Sequence, residues 1–180
     1  MYSDKTNLVV YHGSDVLFGN PQLKYAKPHK DFGKGFYVTT DENQAKRFAE
    51  IVARRNGSSD AFVMQFNVQN FDDLLMFEFD DTNEDWLKCI VGNRTETHKS
   101  LADAWKNYEV ITGKIADDDT ALVINAYMAG VYGQIGTESA YKMAVKMFKP
   151  QKLKNQLCFK TENAIDKLTF IEYESWKLKE

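Results

Sequence analysis

Residues 30–48, KDFGKGFYVTTDENQAKRF, constrain the fold more than any other stretch. Gly33 and Gly35 bracket Lys34 ahead of Phe36-Tyr37-Val38-Thr39, so a glycine-lined turn runs into an aromatic and β-branched strand. Asp41 with Gln44 three residues on fits a capping box. Ala45, Phe48, Ala49 and Val52 then recur at helical spacing, and Gly57 offers a stop. Turn, strand, cap and helix are therefore expected in immediate succession. Upstream, Leu8-Val9-Val10-Tyr11 predicts a short buried strand that delivers His12 at its end, where Gly13-Ser14-Asp15 breaks it. Two strand ends thus carry His12 and Tyr37 beside glycines, which let a backbone approach a ligand closely. Tyr37 and Phe48 form an aromatic pair able to sandwich a flat ring.

The rest of the chain predicts strands, then helices, then strands. Phe62, Met64, Phe66 and Val68 alternate as a half-buried strand, and residues 74–79 are expected to continue its sheet. Thr82 with Asp85 reads as the cap of a short helix carrying Trp86, Leu87 and Ile90, and residues 101–105 read as helical. A strand over 108–113 leads to Asp117-Asp118-Asp119, then helices over 121–128 and 139–148, and strands over 155–160 and 168–173. This order is α+β rather than alternating βαβ, and 180 residues without a repeat or composition shift fit a single domain spanning 1–180. A net charge of −3 disfavours broad phosphate neutralisation, although it leaves room for a local basic patch. Cys89 and Cys158 lack metal or redox spacing and read as buried, reduced thiols. No apolar leader or long apolar run is evident, so a cytoplasmic protein with no membrane partner is expected.

Tyr11-His12-Gly13-Ser14 followed by Phe32-Gly33-Lys34-Gly35-Phe36-Tyr37 resembles the donor-site signature of the diphtheria-toxin and poly(ADP-ribose)-polymerase branch of ADP-ribosyltransferases. The chain as a whole is similar to an uncharacterised bacterial domain family of toxin-like members. The resemblance implies a split mixed β-sheet with inserted helices. It implies NAD as the ADP-ribose donor, with no metal, in a cleft lined by His12, Gly13, Ser14, Gly35, Phe36, Tyr37 and Phe48. In that superfamily the histidine donates a hydrogen bond to a ribose hydroxyl, the adjacent glycine backbone holds the nicotinamide carboxamide, and the tyrosine stacks on the ring. The serine often found on the following helix is replaced here by Ala45.

The third motif departs further. The strand that carries the catalytic glutamate in the polymerase branch matches Asn155-Gln156-Leu157-Cys158-Phe159, which puts Gln156 in its place. Cleaving the bond to nicotinamide develops positive charge on the ribose; glutamine orients a hydroxyl but brings no charge to offset it. Glu162 and the Asp117–Asp119 cluster are the acids that could compensate, although the aspartates read first as a helix cap. The expectation is single ADP-ribosyl transfer with His12, Tyr37 and Gln156 as catalytic residues and an unknown protein or nucleic-acid acceptor. NAD hydrolysis and a catalytically inactive NAD-binding or protein-interaction module are the alternatives. The family context adds a toxin-like or regulatory role in bacteria, kept in check by a small antitoxin-like protein partner.

Overall fold

The helix after the glycine-flanked strand has the ends its sequence predicts. In the computed structural model, which describes residues 7–116, 118–148 and 155–178, α1 (Glu42–Asn56) starts where the Asp41 carboxylate accepts the Gln44 N–H at 2.8 Å. It ends at Gly57, whose φ of 70° is the left-handed conformation of a helix stop.

The strands divide between two sheets. β1 (Asn7–Ser14), β3 (Asp60–Gln69) and β7 (Leu168–Lys177) make an antiparallel sheet in the order β1-β3-β7. β2 (Phe36–Val38), β6 (Asn155–Phe159), β5 (Val110–Lys114) and β4 (Met76–Glu78) make the other, in the order β2-β6-β5-β4. Its pairs are antiparallel except β4 with β5. The segment expected to extend the sheet of β3 therefore crosses to the second sheet as β4. The remaining helices are α2 (Glu84–Arg94), α3 (Asp118–Met128), α4 (Glu138–Met147) and the short α5 (Glu162–Ile165). Asn83, not Thr82, caps α2, its side-chain oxygen accepting the Trp86 N–H at 2.9 Å. Residues Lys99–Trp105 form a 3-10 helix.

Strand alternation sorts the core into three layers of contact. Ala45, Ala49 and Ala53 of α1 pack on Ala61 and Val63, on the outer face of the first sheet. Val10, Met64 and Phe66 meet Phe36, Val38, Leu157 and Phe159 between the sheets. Beyond the second sheet, Ile111 and Cys158 pack with Phe32, Trp86, Leu87, Ile90, Ile124, Tyr127 and Tyr141 of the loop and helices. Each of the large apolar side chains buried there contributes about 1.5–3 kcal/mol relative to exposure. The order of layers is α1, first sheet, second sheet, then α2, α3 and α4. Both cysteines are buried and unpaired, as expected. Among the described residues no helix is long and apolar enough to cross a membrane.

Candidate functional site

β1 and β2 touch once and then part. Tyr11 donates its N–H to Thr39 O at 2.8 Å, Thr39 returns the bond at 3.0 Å, and this bridge joins the sheets. Backbone groups two residues apart on a strand point to the same edge. The N–H and C=O of Gly13 therefore leave β1 on the same side as those of Tyr11, into the gap opposite Tyr37, whereas Val10, His12 and Ser14 bond toward β3. A gap with one donor and one acceptor on its wall results.

His12 spans this gap. Its Nδ1 lies 2.7 Å from Tyr37 O, and its ring stacks on Phe36 at 4.5 Å and meets Phe18 at 5.5 Å. Burial pushes its pKa down to about 4, partly opposed by the bond to the Tyr37 carbonyl. A carbonyl only accepts, so the neutral ring carries its proton on Nδ1 and offers Nε2 as an acceptor. Toward a ribose hydroxyl His12 would thus accept rather than donate. The depressed pKa also has a thermodynamic consequence. Between the unfolded value of about 6.5 and about 4, the unfolded chain takes up a proton that the folded chain refuses. Stability is therefore lost as pH falls through that window, by about 2–3 kcal/mol, and the loss levels off below it. Urea unfolding at pH 7 and pH 4 should show this extra loss in the parent and not in His12→Ala. Parallel pH profiles would place His12 in solvent.

Gly13 owes its identity to the other face of β1. A Cβ there would overlap the Ala45 carbonyl oxygen and stand 2.8 Å from Ala49 N, so only glycine lets α1 lie this close. Gly35 is a second such contact: its Cβ would overlap Cys158 Sγ and stand 2.7 Å from Phe159 O. Ser14 is turned into the chain reversal after β1, where its Oγ accepts the Val16 N–H at 3.1 Å.

Phe36 and Tyr37 face opposite ways. Phe36 is buried between the sheets beneath His12, whereas Tyr37 packs beside the helical layer opposite Cys158. The Tyr37 hydroxyl donates to Gly33 O at 2.7 Å and accepts the Phe32 N–H at 2.9 Å, pinning the glycine turn. Burial and the neighbouring Cys158 raise its pKa well above the usual phenol value, so it stays protonated. Lys34 in that turn is exposed.

Phe48 leaves the buried stripe of its helix and is 44% exposed. Lys46 and Glu50 reach Glu174 and Trp176 on β7, which fixes that flank of α1 over the far edge of the sheet. At 100° per residue Phe48 falls on the opposite flank, toward the open edge of β1. Its ring is therefore on the side of the gap.

Gln156 lies on the Tyr37 face of the second sheet, two residues before Cys158. Its Nε2 donates to Asp31 Oδ2 at 2.9 Å, while Arg94 Nε and Nη2 donate to Asp31 Oδ1 at 2.9 and 2.6 Å. The acid beside Gln156 is thus Asp31, which the sequence reading passed over. Glu162 is exposed at the start of α5, past the other end of β6. Asp119 is exposed in the first turn of α3, and Asp117 lies outside the described residues. Asp31 has one legible signal, its place directly before Phe32-Gly33. Its partner Arg94 is 63 residues away and carries none.

The site residues thus fall into two groups that meet at β2. The Gly13 backbone pair, His12 and Phe48 belong to the gap; Tyr37, Gln156, Asp31 and Arg94 belong to the helix side of the second sheet. The family described as protein of unknown function (DUF3990) matches residues 8–170. No curated protein and no solved structure matches the chain.

Proposed function

The chain belongs to the DUF3990 family, and on that premise we propose that it has an ADP-ribosyltransferase-like fold and transfers the ADP-ribose of NAD, one unit at a time, to a macromolecular acceptor. The observation that carries this reading is the Gly13 N–H and C=O pair facing the gap where β1 and β2 part. A primary carboxamide such as that of nicotinamide offers one acceptor and two donors, which such a pair matches in a cyclic arrangement. Phe48 supplies an exposed ring on that side, whereas Tyr37, its ring packed on the helix side of the second sheet, serves the gap through the carbonyl that holds His12. His12 Nε2 accepts from a ribose hydroxyl. Gln156 commits its Nε2 to Asp31, which leaves Oε1 as the acceptor for a second ribose hydroxyl.

In the reaction the bond from ribose C1′ to the nicotinamide nitrogen breaks, with its electron pair leaving on nicotinamide. A lone pair of the acceptor forms the new bond to C1′, and the acceptor's proton is released. The residues hold the sugar and the ring in place; their charge support is weak, because Arg94 neutralises the carboxylate next to Gln156. A weak charge term favours single transfer over chain growth. It also favours a second reading, in which the site holds NAD without cleaving it.

Calorimetry with NAD and an assay of released nicotinamide, with and without cell lysate, separate these outcomes. Binding with release and entry of adenylate label into lysate macromolecules is the expected result. His12→Ala should weaken NAD binding about 10-fold, the scale of one lost hydrogen bond. Release without label transfer would make the protein an NAD hydrolase, and binding without release would make it a binding module. No NAD binding by a folded chain overturns the donor-site assignment.

A further inference from the structure

A cleft of about 330 Å3 opens between the Gly33–Lys34 turn, the C-terminal end of α2 and the 3-10 helix Lys99–Trp105. Lys160, one residue past β6, forms part of its wall. Three residues of β6 separate Lys160 from Gln156, four steps or about 13 Å along extended chain, and the Gln156 side chain does not line the cleft. Its volume is at the lower end of the range for small-molecule sites.

The charge on its walls is one-sided. Lys34, Lys99, Lys106 and Lys160 line it against the carboxylates of Glu96 and Asp103. Asp103 Oδ1 is 3.5 Å from Lys106 Nζ, and Glu96 Oε1 is 3.9 Å from His29 Nε2. Lys34, Lys99 and Lys160 have no carboxylate partner among the described residues. This excess of positive charge sits in a chain whose net charge is −3. Lys160 is the anomalous member. It is half-buried, and its Nζ donates to Trp105 O at 3.2 Å. An ammonium has three N–H donors, and among the described residues that carbonyl is the acceptor found for one of them. Burial depresses its pKa, partly opposed by the neighbouring Cys158 and Cys89 thiols. An anionic oxygen in the cleft would complete its bonding and offset that penalty.

We infer that this cleft binds the phosphate group of a nucleotide-sized ligand, with Lys160 as the buried anchor and Lys34 and Lys99 at the mouth. Three lysines lining one cleft from different elements suit a tetrahedral, multiply charged group; a carboxylate has only two oxygens to offer them.

The test is calorimetry on the full chain with AMP, pyrophosphate and inorganic phosphate at low ionic strength. AMP should bind, more weakly as salt rises. Lys160→Met keeps the aliphatic stem and should weaken AMP at least 10-fold, whereas Lys99→Gln should weaken it about 3-fold. Should Lys160→Met not fold, the exposed pair Lys34→Gln/Lys99→Gln carries the same test. A matching loss for NAD in these variants makes the phosphate the dinucleotide's own; unchanged NAD binding assigns it to a separate ligand. No binding of any phosphate probe up to about 10 mM, or equal affinity in parent and variants, overturns the inference.

Discussion

Gly13→Ala is expected to destabilise the chain by about 3 kcal/mol or more before any ligand is involved, the upper end of what overpacking usually does. A Gly-to-Ala change at a permissive site stabilises by about 0.4–1 kcal/mol, because alanine restricts the unfolded chain. Here the added Cβ overlaps the carbonyl oxygen of Ala45 and presses on the nitrogen of Ala49. Both are backbone atoms of α1, so no rotamer change relieves them, and the helix must lift off β1. That movement opens the layer formed by Ala45, Ala49, Ala53, Ala61 and Val63. For a chain of this size the expected fall in Tm is about 6–12 °C, read by circular dichroism. Ala45→Gly should not rescue it, since the obstacle is main chain. A Tm within about 2 °C of the parent would mean that α1 does not lie against Gly13. It follows that loss of NAD binding in Gly13→Ala says nothing about the carboxamide; His12→Ala is the cleaner probe.

Local structure was legible where one residue dictates one backbone outcome. Asp41 and Gly57 fix both ends of α1 through a cap and a left-handed stop, neither of which depends on the rest of the chain. The alternation of Phe62, Met64, Phe66 and Val68 likewise marked β3. Sheet membership was not legible. Met76–Glu78 reads as a strand, but whether it pairs with β3 or β5 is decided by long-range hydrogen bonds that its own residues do not encode. Asn83 took the cap from Thr82 because both are good caps one residue apart, and the tertiary position of Trp86 chose between them. Gly13 shows the limit of motif reasoning. Its glycine was read as clearance for a ligand, yet the helix side of β1 requires it independently. Asp31 was missed because its importance comes from Gln156 and Arg94, 125 and 63 residues away.

Gln156→Glu is expected to lower stability at neutral pH and to slow nicotinamide release, not to speed it. The parent amide donates to Asp31 Oδ2 at 2.9 Å; a carboxylate there would set acceptor against acceptor. Arg94 reaches Oδ1 of Asp31 and relieves only part of the repulsion. Two like charges about 4 Å apart repel by about 4 kcal/mol at an effective dielectric constant near 20, and partial solvent access leaves about 2–3 kcal/mol. The introduced carboxyl group keeps its proton to a higher pH in the folded chain than in the unfolded one. The deficit is therefore complete above that raised pKa, shrinks as pH falls through it, and vanishes below about 4.3, the ordinary glutamate value. The paired substitution D31N/Q156E exchanges the two chemistries. It keeps one amide and one carboxylate at the same contact and moves the charge to position 156. Stability should recover by about 2 kcal/mol relative to Q156E alone, a coupling that a double-mutant cycle in urea resolves. Nicotinamide release should then exceed the parent's, because the charge now faces the ribose rather than Arg94. Additive effects would separate Gln156 from Asp31, and faster release in Q156E alone would mean that missing charge at position 156 is the sole limit on the parent.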